Sequence, residues 1–324
     1  MWTGYGAPEV LQLREVATPE AGPNQVLIRL RAASVTAGDT EMCGLRFPFP
    51  LGLGIRLYAG AVRPKRIEVI GQDFAGEVAA VGPGATRFRE GDRVFGSNGL
   101  KGGSYAEYVA RPEAHKDMSG PLELMPASAT FDDAAAVPTG ALEALHFLRE
   151  AGIRAGEHVL IRGSGGSIGT FGVQLAKDYG AEVTAVDSGD KLPMLRSIGA
   201  DHVIDYTERE VCDGGARYDV IFDVVGKTRL APYLACLAPG GRYLLANPRV
   251  SQMMRGRRRL SEGRTLIAGV SDQTGEDLVV LRELIAAGRL RSVIDRRFPL
   301  AETAVAHRYV ESGRKRGSVV ITIP

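Results

Sequence analysis

The chain has little cysteine, no long apolar run and almost no excess of one charge. Its three cysteines are Cys43, Cys212 and Cys236, in 324 residues. No two of them stand at metal-ligand spacing, and three suggest no disulfide framework, so idle or buried thiols are expected. The five histidines, His115, His146, His158, His202 and His307, also lack ligand spacing. Structural or exposed roles are expected for them, and no metal site. No run of about 18 apolar residues occurs, which excludes an ordinary membrane-spanning helix. Lys and Arg number 40 against 38 Asp and Glu, a net charge of +2, so no global field points to nucleic acid. Met1 to Gly6 lacks the basic-then-apolar pattern of a signal peptide. A soluble cytoplasmic chain without a membrane or nucleic-acid partner is the expectation.

What is present suffices for two ordinary cores, with 44% hydrophobic residues over a length that suits two domains. The first part reads as short strands. Gln25–Ala32 alternates apolar and polar residues, and Gly76–Gly82, Asp92–Gly96 and Ser104–Val109 follow between Gly and Pro punctuation. This pattern predicts a barrel-like unit. Near residue 126 the pattern changes. Asp132 or Asp133 is the candidate cap of a helix from Ala134 to Leu148, kinked at Pro138. Strands and helices then alternate: His158–Ile161, Gly169–Tyr179, Glu182–Val186, Lys191–Ile198, His202–Ile204, Tyr218–Asp223, a helical Leu230–Leu237, Arg242–Leu245 and Thr265–Val270. Such alternation predicts right-handed βαβ units and a parallel sheet. The tail carries a helix over Glu276–Ala287 and a strand over Gly317–Ile323. The block Arg255-Gly256-Arg257-Arg258-Arg259 reads as a solvated loop, or as a rim that attracts an anion. The resulting division is a catalytic domain over 1–125, completed by 272–324, around a nucleotide domain over 126–271.

The most informative stretch is Gly163, Ser164, Gly165, Gly166, Ser167, Ile168 and Gly169, between an apolar strand and a helical pattern. Strand, glycine turn and helix N-terminus in that order make a pyrophosphate site. Glycines allow a tight turn and close backbone approach, and the helix N-terminus attracts the anion. An adenosine ribose is normally read about 20 residues past the first glycine. That count reaches Asp187, an acid suited to the two ribose hydroxyls of NAD. It repels the 2′-phosphate of NADP by roughly 4 kcal/mol per charge pair at about 4 Å. Ser188 and Lys191, one turn on, are what such a phosphate needs. The residues themselves leave NADH and NADPH open, and leave Asp187 a helix cap and Lys191 a solvated lysine as alternatives.

Further motifs are specific. Gly71-Gln72-Asp73-Phe74-Ala75-Gly76-Glu77-Val78, Gly91-Asp92-Arg93-Val94, Gly103-Ser104-Tyr105-Ala106-Glu107-Tyr108, Ala134-Ala135-Ala136-Val137-Pro138-Thr139, Gly199–Tyr206 and Asp223-Val224-Val225-Gly226 join the glycine turn. With them the chain resembles the medium-chain dehydrogenase/reductase superfamily, in its zinc-free quinone oxidoreductase-like branch, over nearly its whole length. The resemblance implies an α/β chain: a GroES-like β-barrel catalytic domain plus a Rossmann doubly wound parallel-sheet domain, with the cofactor between them. It implies that Lys191 and Tyr206 bind the 2′-phosphate of NADPH, with NADH kept open by Asp187. It also implies that Thr139, Val225, Asn247 and Val270 line the adenine or nicotinamide ends. A homodimer through the Rossmann sheet edge is compatible with it. Zinc enzymes of the superfamily place a cysteine at the position of Thr36 and Gly-His-Glu at Gly71-Gln72-Asp73. Without a thiolate or an imidazole there, no catalytic zinc is expected.

Without a Lewis acid, hydride transfer suits an acceptor that is already electrophilic, a quinone or an α,β-unsaturated carbonyl. Thr36 and Tyr58 are the candidate proton donors, Asp39 is a structural partner, and Phe47–Arg66 is a candidate wall of the substrate pocket. Two other readings stay open: a small-alcohol dehydrogenase, and a nucleotide-binding sensor without turnover. Relatives begin with a few more residues, so a poorly paired barrel edge near Trp2 is a further expectation.

Overall fold

Strand β1 (Gln25–Ser34) buries Val26, Ile28 and Leu30 completely, as its alternation predicts, and then both faces close over Ala32 and Ala33. It pairs antiparallel with β2 (Asp73–Val81). Its other edge takes β4 (Tyr108–Pro112) along Gln25–Arg29 and β14 (Ser318–Thr322) along Ala32–Ser34. One strand thus serves three neighbours. Two register shifts against β2, at Leu27/Ile28 and Leu30/Ala32, bend it for that purpose. The seven-stranded sheet is completed by β3 (Arg93–Ser97), β5 (Leu122–Leu124) and β13 (Ile294–Pro299).

The computed structural model describes residues 1–114, 118–226, 230–247 and 256–324. His115 and Arg255, named above, lie outside the described residues. The chain divides into two compact units, Met1–Thr139 with Gln273–Pro324, and Gly140–Asp272. The C-terminal tail therefore returns to the first unit. That unit runs past residue 126. Helix α3 (Phe131–Ala135) packs on β1, β2 and β3, so the first unit extends through Thr139.

The helices of the first unit are α1 (Ala37–Gly44), α2 (Leu51–Ala59), α3 and, in the tail, α8 (Gly275–Ala286) and α9 (Thr303–Glu311). The single kinked helix expected after residue 133 is two helices. Thr130 caps α3 in a capping box with Asp133, which therefore sits at the third helical position and not at the cap. Pro138 opens α4 (Pro138–Ala151), where its missing N–H has no partner to lose. Ser104 to Glu107, read as strand, is a bend. Ser104 Oγ donates to the Gln72 carbonyl (2.8 Å) and the Tyr105 amide to Ile70 (3.2 Å). At the N-terminus a lone bridge joins Trp2 to Leu11, and the Trp2 amide donates to Glu68 (2.7 Å). A cavity of about 800 Å³ opens beside this edge, between Leu13, Val16, Val69, Tyr105 and Tyr108.

The second unit is a seven-stranded sheet. Its strands are β6 (His158–Arg162), β7 (Glu182–Asp187), β8 (His202–Asp205), β9 (Tyr218–Asp223), β10 (Leu237–Leu245), β11 (Arg257–Arg259) and β12 (Thr265–Ala268). The order β8-β7-β6-β9-β10-β12 is parallel throughout, with β11 antiparallel on the outer edge. Read outward from β6 this is the doubly wound order, whose direction reverses between β6 and β9. Helices α4, α5 (Ser167–Asp178), α6 (Leu192–Ser197) and α7 (Leu230–Ala235) connect the strands. Val159, Leu160, Ile161, Val220, Ile221 and Phe222 are wholly buried, as strands covered on both faces should be.

Three expectations change here. Arg257–Arg259 is a short exposed strand rather than a loop, and its charge protects a sheet edge. Leu237 belongs to β10 opposite Tyr218 rather than to the helix expected over Leu230–Leu237, and Pro239-Gly240-Gly241 lie at a register shift within that strand. Cys212 and Cys236 form a disulfide, with Cα atoms 5.6 Å apart. Their 24-residue separation carries no spacing signal, and the return of the chain from β8 to β10 brings them together. Cys43 remains a buried thiol.

Candidate functional site

The turn after β6 needs its glycines for distinct reasons. Gly163 has φ +77°, and a methyl group there would lie 2.7 Å from Val225 Cγ2. One on Gly169 would lie 2.3 Å from the Gly163 carbonyl oxygen, so α5 starts directly on the turn. One on Gly165 would strike Lys191 Cδ at 2.4 Å. Gly166 is different. Its nearest neighbour is at 3.6 Å, and it caps α5 without a side chain. The turn is therefore open beside Gly166 and at the first turn of α5, where Ser167 and the half-buried Ile168 stand. An anion fits such a helix N-terminus.

Ser164 faces the other way. Its side chain is buried, its hydroxyl donates to Ile161 (2.7 Å) and Val186 (3.1 Å), and it accepts the Val186 amide (2.7 Å). Its amide also goes to Val186. Ser164 thus fastens the turn to β7, and its expected contact with a cofactor is corrected.

Asp187 ends β7 and is mostly buried. Its Oδ2 accepts the Gly165 amide (2.7 Å), and its Oδ1 accepts the Ser188 amide (2.9 Å) and faces Lys191 Nζ at 2.9 Å. Lys191 is buried too, so the solvated-lysine alternative is set aside. Ser188 Oγ donates to Asp190 (2.6 Å). The Tyr206 amide donates to the Asp187 carbonyl (3.3 Å), and the Tyr206 side chain is exposed. Asp205 lies beside Gly189, and its bonds from Thr207 hold its carboxyl below the usual range. The corner at the ends of β7 and β8 thus holds one lysine among Asp187, Asp190 and Asp205.

Across the switch point, Asp223 ends β9 fully buried. It accepts the Val225 and Gly226 amides (3.0 and 3.2 Å), the Tyr243 hydroxyl (2.7 Å) and Arg162 (3.2 Å). This network fixes a turn that leaves Val225 half exposed, with Asn247 donating to the Val224 carbonyl. Val270 stands exposed beyond β12. The second unit therefore brings together Gly163–Gly169, Asp187, Ser188, Lys191 and Tyr206, with Val225 and Asn247 at the neighbouring turn.

Thr36, Tyr58 and Thr139 belong to the first unit. Thr36 caps α1: its hydroxyl donates to Asp39 Oδ2 (2.8 Å) and accepts the Asp39 amide (3.1 Å). Asp39 is the structural partner expected. Tyr58 is half-buried on α2 with the Arg66 guanidinium 4.3 Å over its ring. Thr139 gives both its amide (2.9 Å) and its hydroxyl (2.8 Å) to Asp73.

Three acids are buried in ways that local sequence did not show: Asp39 and Asp73, already named, and Glu143, which was not. Burial raises Asp39 to about 6 and Asp73 to about 7, against the opposing pull of their hydrogen bonds. Burial raises Glu143 on α4 to about 7, with Ser271 Oγ at 3.2 Å as its partner. Nothing in local sequence marks these groups, because burial is a tertiary property. His307 is enclosed against Tyr105 with neither ring nitrogen bonded, and burial lowers it to about 3.

The donor set around Thr36, Gln72 and Asp73 offers neither thiolate nor imidazole and does not fit a tetrahedral zinc. Among the described residues no group of three His, Cys, Asp or Glu is placed to hold a metal. The glycine cradle and the uncapped α5 do fit a pyrophosphate.

Known proteins agree with this geometry. Residues 22–118 match the alcohol dehydrogenase GroES-like domain, and residues 198–321 match the family described as zinc-binding dehydrogenase. A quinone oxidoreductase of Pseudomonas aeruginosa is 32% identical over 99% of this chain and 98% of its own. An NADPH-dependent alkenal/one oxidoreductase of Arabidopsis thaliana, from the chloroplast, is 31% identical over 99% of this chain and 78% of its own. The solved quinone oxidoreductase of Coxiella burnetii superposes with a TM-score of 0.86 at 27% identity, covering 100% of this chain and 98% of that one. The first unit is thus the GroES-like domain and the second the Rossmann domain, and the chain belongs to the quinone oxidoreductase-like branch of the medium-chain dehydrogenase/reductase superfamily.

Proposed function

We propose that this chain is a zinc-independent reductase that uses a reduced nicotinamide dinucleotide, NADPH first, to reduce a quinone or an α,β-unsaturated carbonyl in the cytoplasm. The observation that carries the reading is the open glycine turn at the β6/β9 switch point, with Asp187, Lys191 and Tyr206 at the strand ends beside it. When bound, the dinucleotide supplies the hydride. Gly166 and the first turn of α5 hold its pyrophosphate. Ser188, Lys191 and Tyr206 take the ribose end, and Val225, Asn247, Val270 and Thr139 border the two rings. Asp73 holds Thr139 by two hydrogen bonds. Tyr58 is the proposed proton donor. Thr36 also carries a hydroxyl, but that hydroxyl is engaged with Asp39.

One observation favours NADH as a second reading. Lys191 already neutralises Asp187, and Asp190 and Asp205 add two more negative charges to the same corner. The names of relatives and the resemblance support NADPH. A homodimer remains the proposed assembly. The deciding experiment follows the near-ultraviolet absorbance of NADPH and NADH separately, with a small quinone and a simple enone, after chelator treatment. Oxidation that survives the chelator is the expected result. Nucleotide binding without oxidation of either acceptor would favour the sensor reading.

A further inference from the structure

Residues 42–67 contain five basic side chains and no acidic one: Arg46, Arg56, Arg63, Lys65 and Arg66. Arg46 pairs with Glu311. Among the described residues the other four form no ion pair. Arg56 donates to the Ala61 carbonyl (2.7 Å), Arg66 covers Tyr58, and Arg63 and Lys65 are exposed. Large apolar side chains stand among these cations. Helix α2 buries Gly52 and Ala59, while Leu53 and Leu57, one turn apart, are 50% and 64% exposed. Phe49 just before the helix and Val62 just after it are 81% and 86% exposed. Single exposed apolar residues need no explanation, but four on one short segment do.

We propose that this face is a peripheral membrane contact. Phe49, Leu53, Leu57 and Val62 enter the boundary between headgroups and acyl chains of an anionic bilayer, and Arg56, Arg63, Lys65 and Arg66 meet its phosphates. Exposure and charge agree with such a surface: exposed apolar side chains alternate along the chain with exposed cations. A second copy fits poorly, because two-fold pairing sets the same cations against each other. An acidic protein fits less well than lipid. What favours lipid is composition: large exposed apolar side chains stand among cations with no Ser, Thr, Asn or Gln between them, as in an interfacial segment. The lack of a long apolar run, from which no membrane partner was expected, bears on a spanning helix only. Among the described residues no helix is long and apolar enough to cross a membrane, and a peripheral contact requires none.

The test is flotation of the full chain with vesicles of phosphatidylglycerol and phosphatidylcholine, against phosphatidylcholine alone, at low and high salt. Binding to the anionic vesicles only, weakened by salt, is expected. Arg63→Gln with Lys65→Gln should weaken it about 25-fold, from roughly five-fold per cation near an anionic surface. Leu53→Ser with Leu57→Ser should abolish it with far-ultraviolet circular dichroism unchanged. Val62→Asp, in the exposed loop, probes the same contact should the helix variant misfold. No flotation, or flotation indifferent to the apolar substitutions, overturns the proposal. Competition by soluble polyglutamate as effective as that by anionic vesicles assigns the face to an acidic protein instead. A dimer made monomeric by Leu53→Ser with Leu57→Ser assigns it to self-association.

Discussion

Lys191 Nζ lies 2.9 Å from Asp187 Oδ1, with each side chain about nine-tenths buried, so the two residues that argue for opposite cofactors are partners. The pair is one device. Asp187 also accepts the Gly165 amide, so whatever moves the carboxylate moves the pyrophosphate turn.

Asp187→Ser should therefore remove the carboxylate that Lys191 faces and raise the ratio of kcat/KM for NADPH over NADH by about ten-fold, ~1.4 kcal/mol. Lys191→Ala should shift the ratio the other way. Steady-state kinetics with both cofactors measure this. An unchanged ratio in both variants would mean that another group reads the ribose.

The glycines of the turn should separate folding from binding. Gly163→Ala meets both a positive φ and Val225, so a loss of about 1–2 kcal/mol or more in stability is expected. Gly166→Ala meets nothing closer than 3.6 Å at φ −88°, so its unfolding midpoint should hold while dinucleotide affinity falls. Thermal melts and fluorescence titration of NADPH check the pair. Equal affinity in Gly166→Ala and wild type would move the pyrophosphate elsewhere.

Thr36 and Tyr58 should part in the same manner. Thr36→Val removes a helix cap, and a stability loss of about 1 kcal/mol is expected with turnover largely kept. Tyr58→Phe keeps the packing under Arg66 and should lower kcat with little change in melting. Unchanged turnover in Tyr58→Phe removes Tyr58 as the proton donor.

Glu143 ties stability to pH. Its value rises from 4.5 to about 7 on folding, so the folded chain keeps a proton that the unfolded chain releases. Its contribution is whole below about 4.5 and is lost as pH rises through about 7, on the order of 3 kcal/mol. Glu143→Gln keeps a partner for Ser271 and should flatten the fall in melting temperature across that window. An identical slope in the variant would show that Asp39 and Asp73 carry the effect.

Local sequence was informative where one element determines its own chemistry. The strand, the turn of Gly163–Gly169 and the helix after it are contiguous, so their order could be read directly. Asp187 and Lys191 are four residues apart, and their proximity was readable, although their burial was not. Thr130 and Asp133 show the limit at short range: both belong to a capping box, and the acid draws attention although the threonine is the cap. Tertiary facts stayed hidden. Asp73 becomes a proton-holding group only because β2 brings it under the first turn of α4, where it bonds Thr139. Cys212 meets Cys236 only after β9 is laid between them. Helices α1, α2 and α9 and strand β13 are all short, and none of them was read.

The three-way pairing of β1 has a consequence for biosynthesis. The stretch Ala32–Ser34 waits for β14, whose residues leave the ribosome almost 300 positions later. The whole of 140–272 is synthesised in between. The Rossmann domain can therefore complete itself while the GroES-like domain still presents an unsatisfied strand edge. That interval is when the nascent chain is most exposed to wrong partners. Slow translation of residues 273–317 would lengthen it, and a chaperone acting there would have its main client in β1.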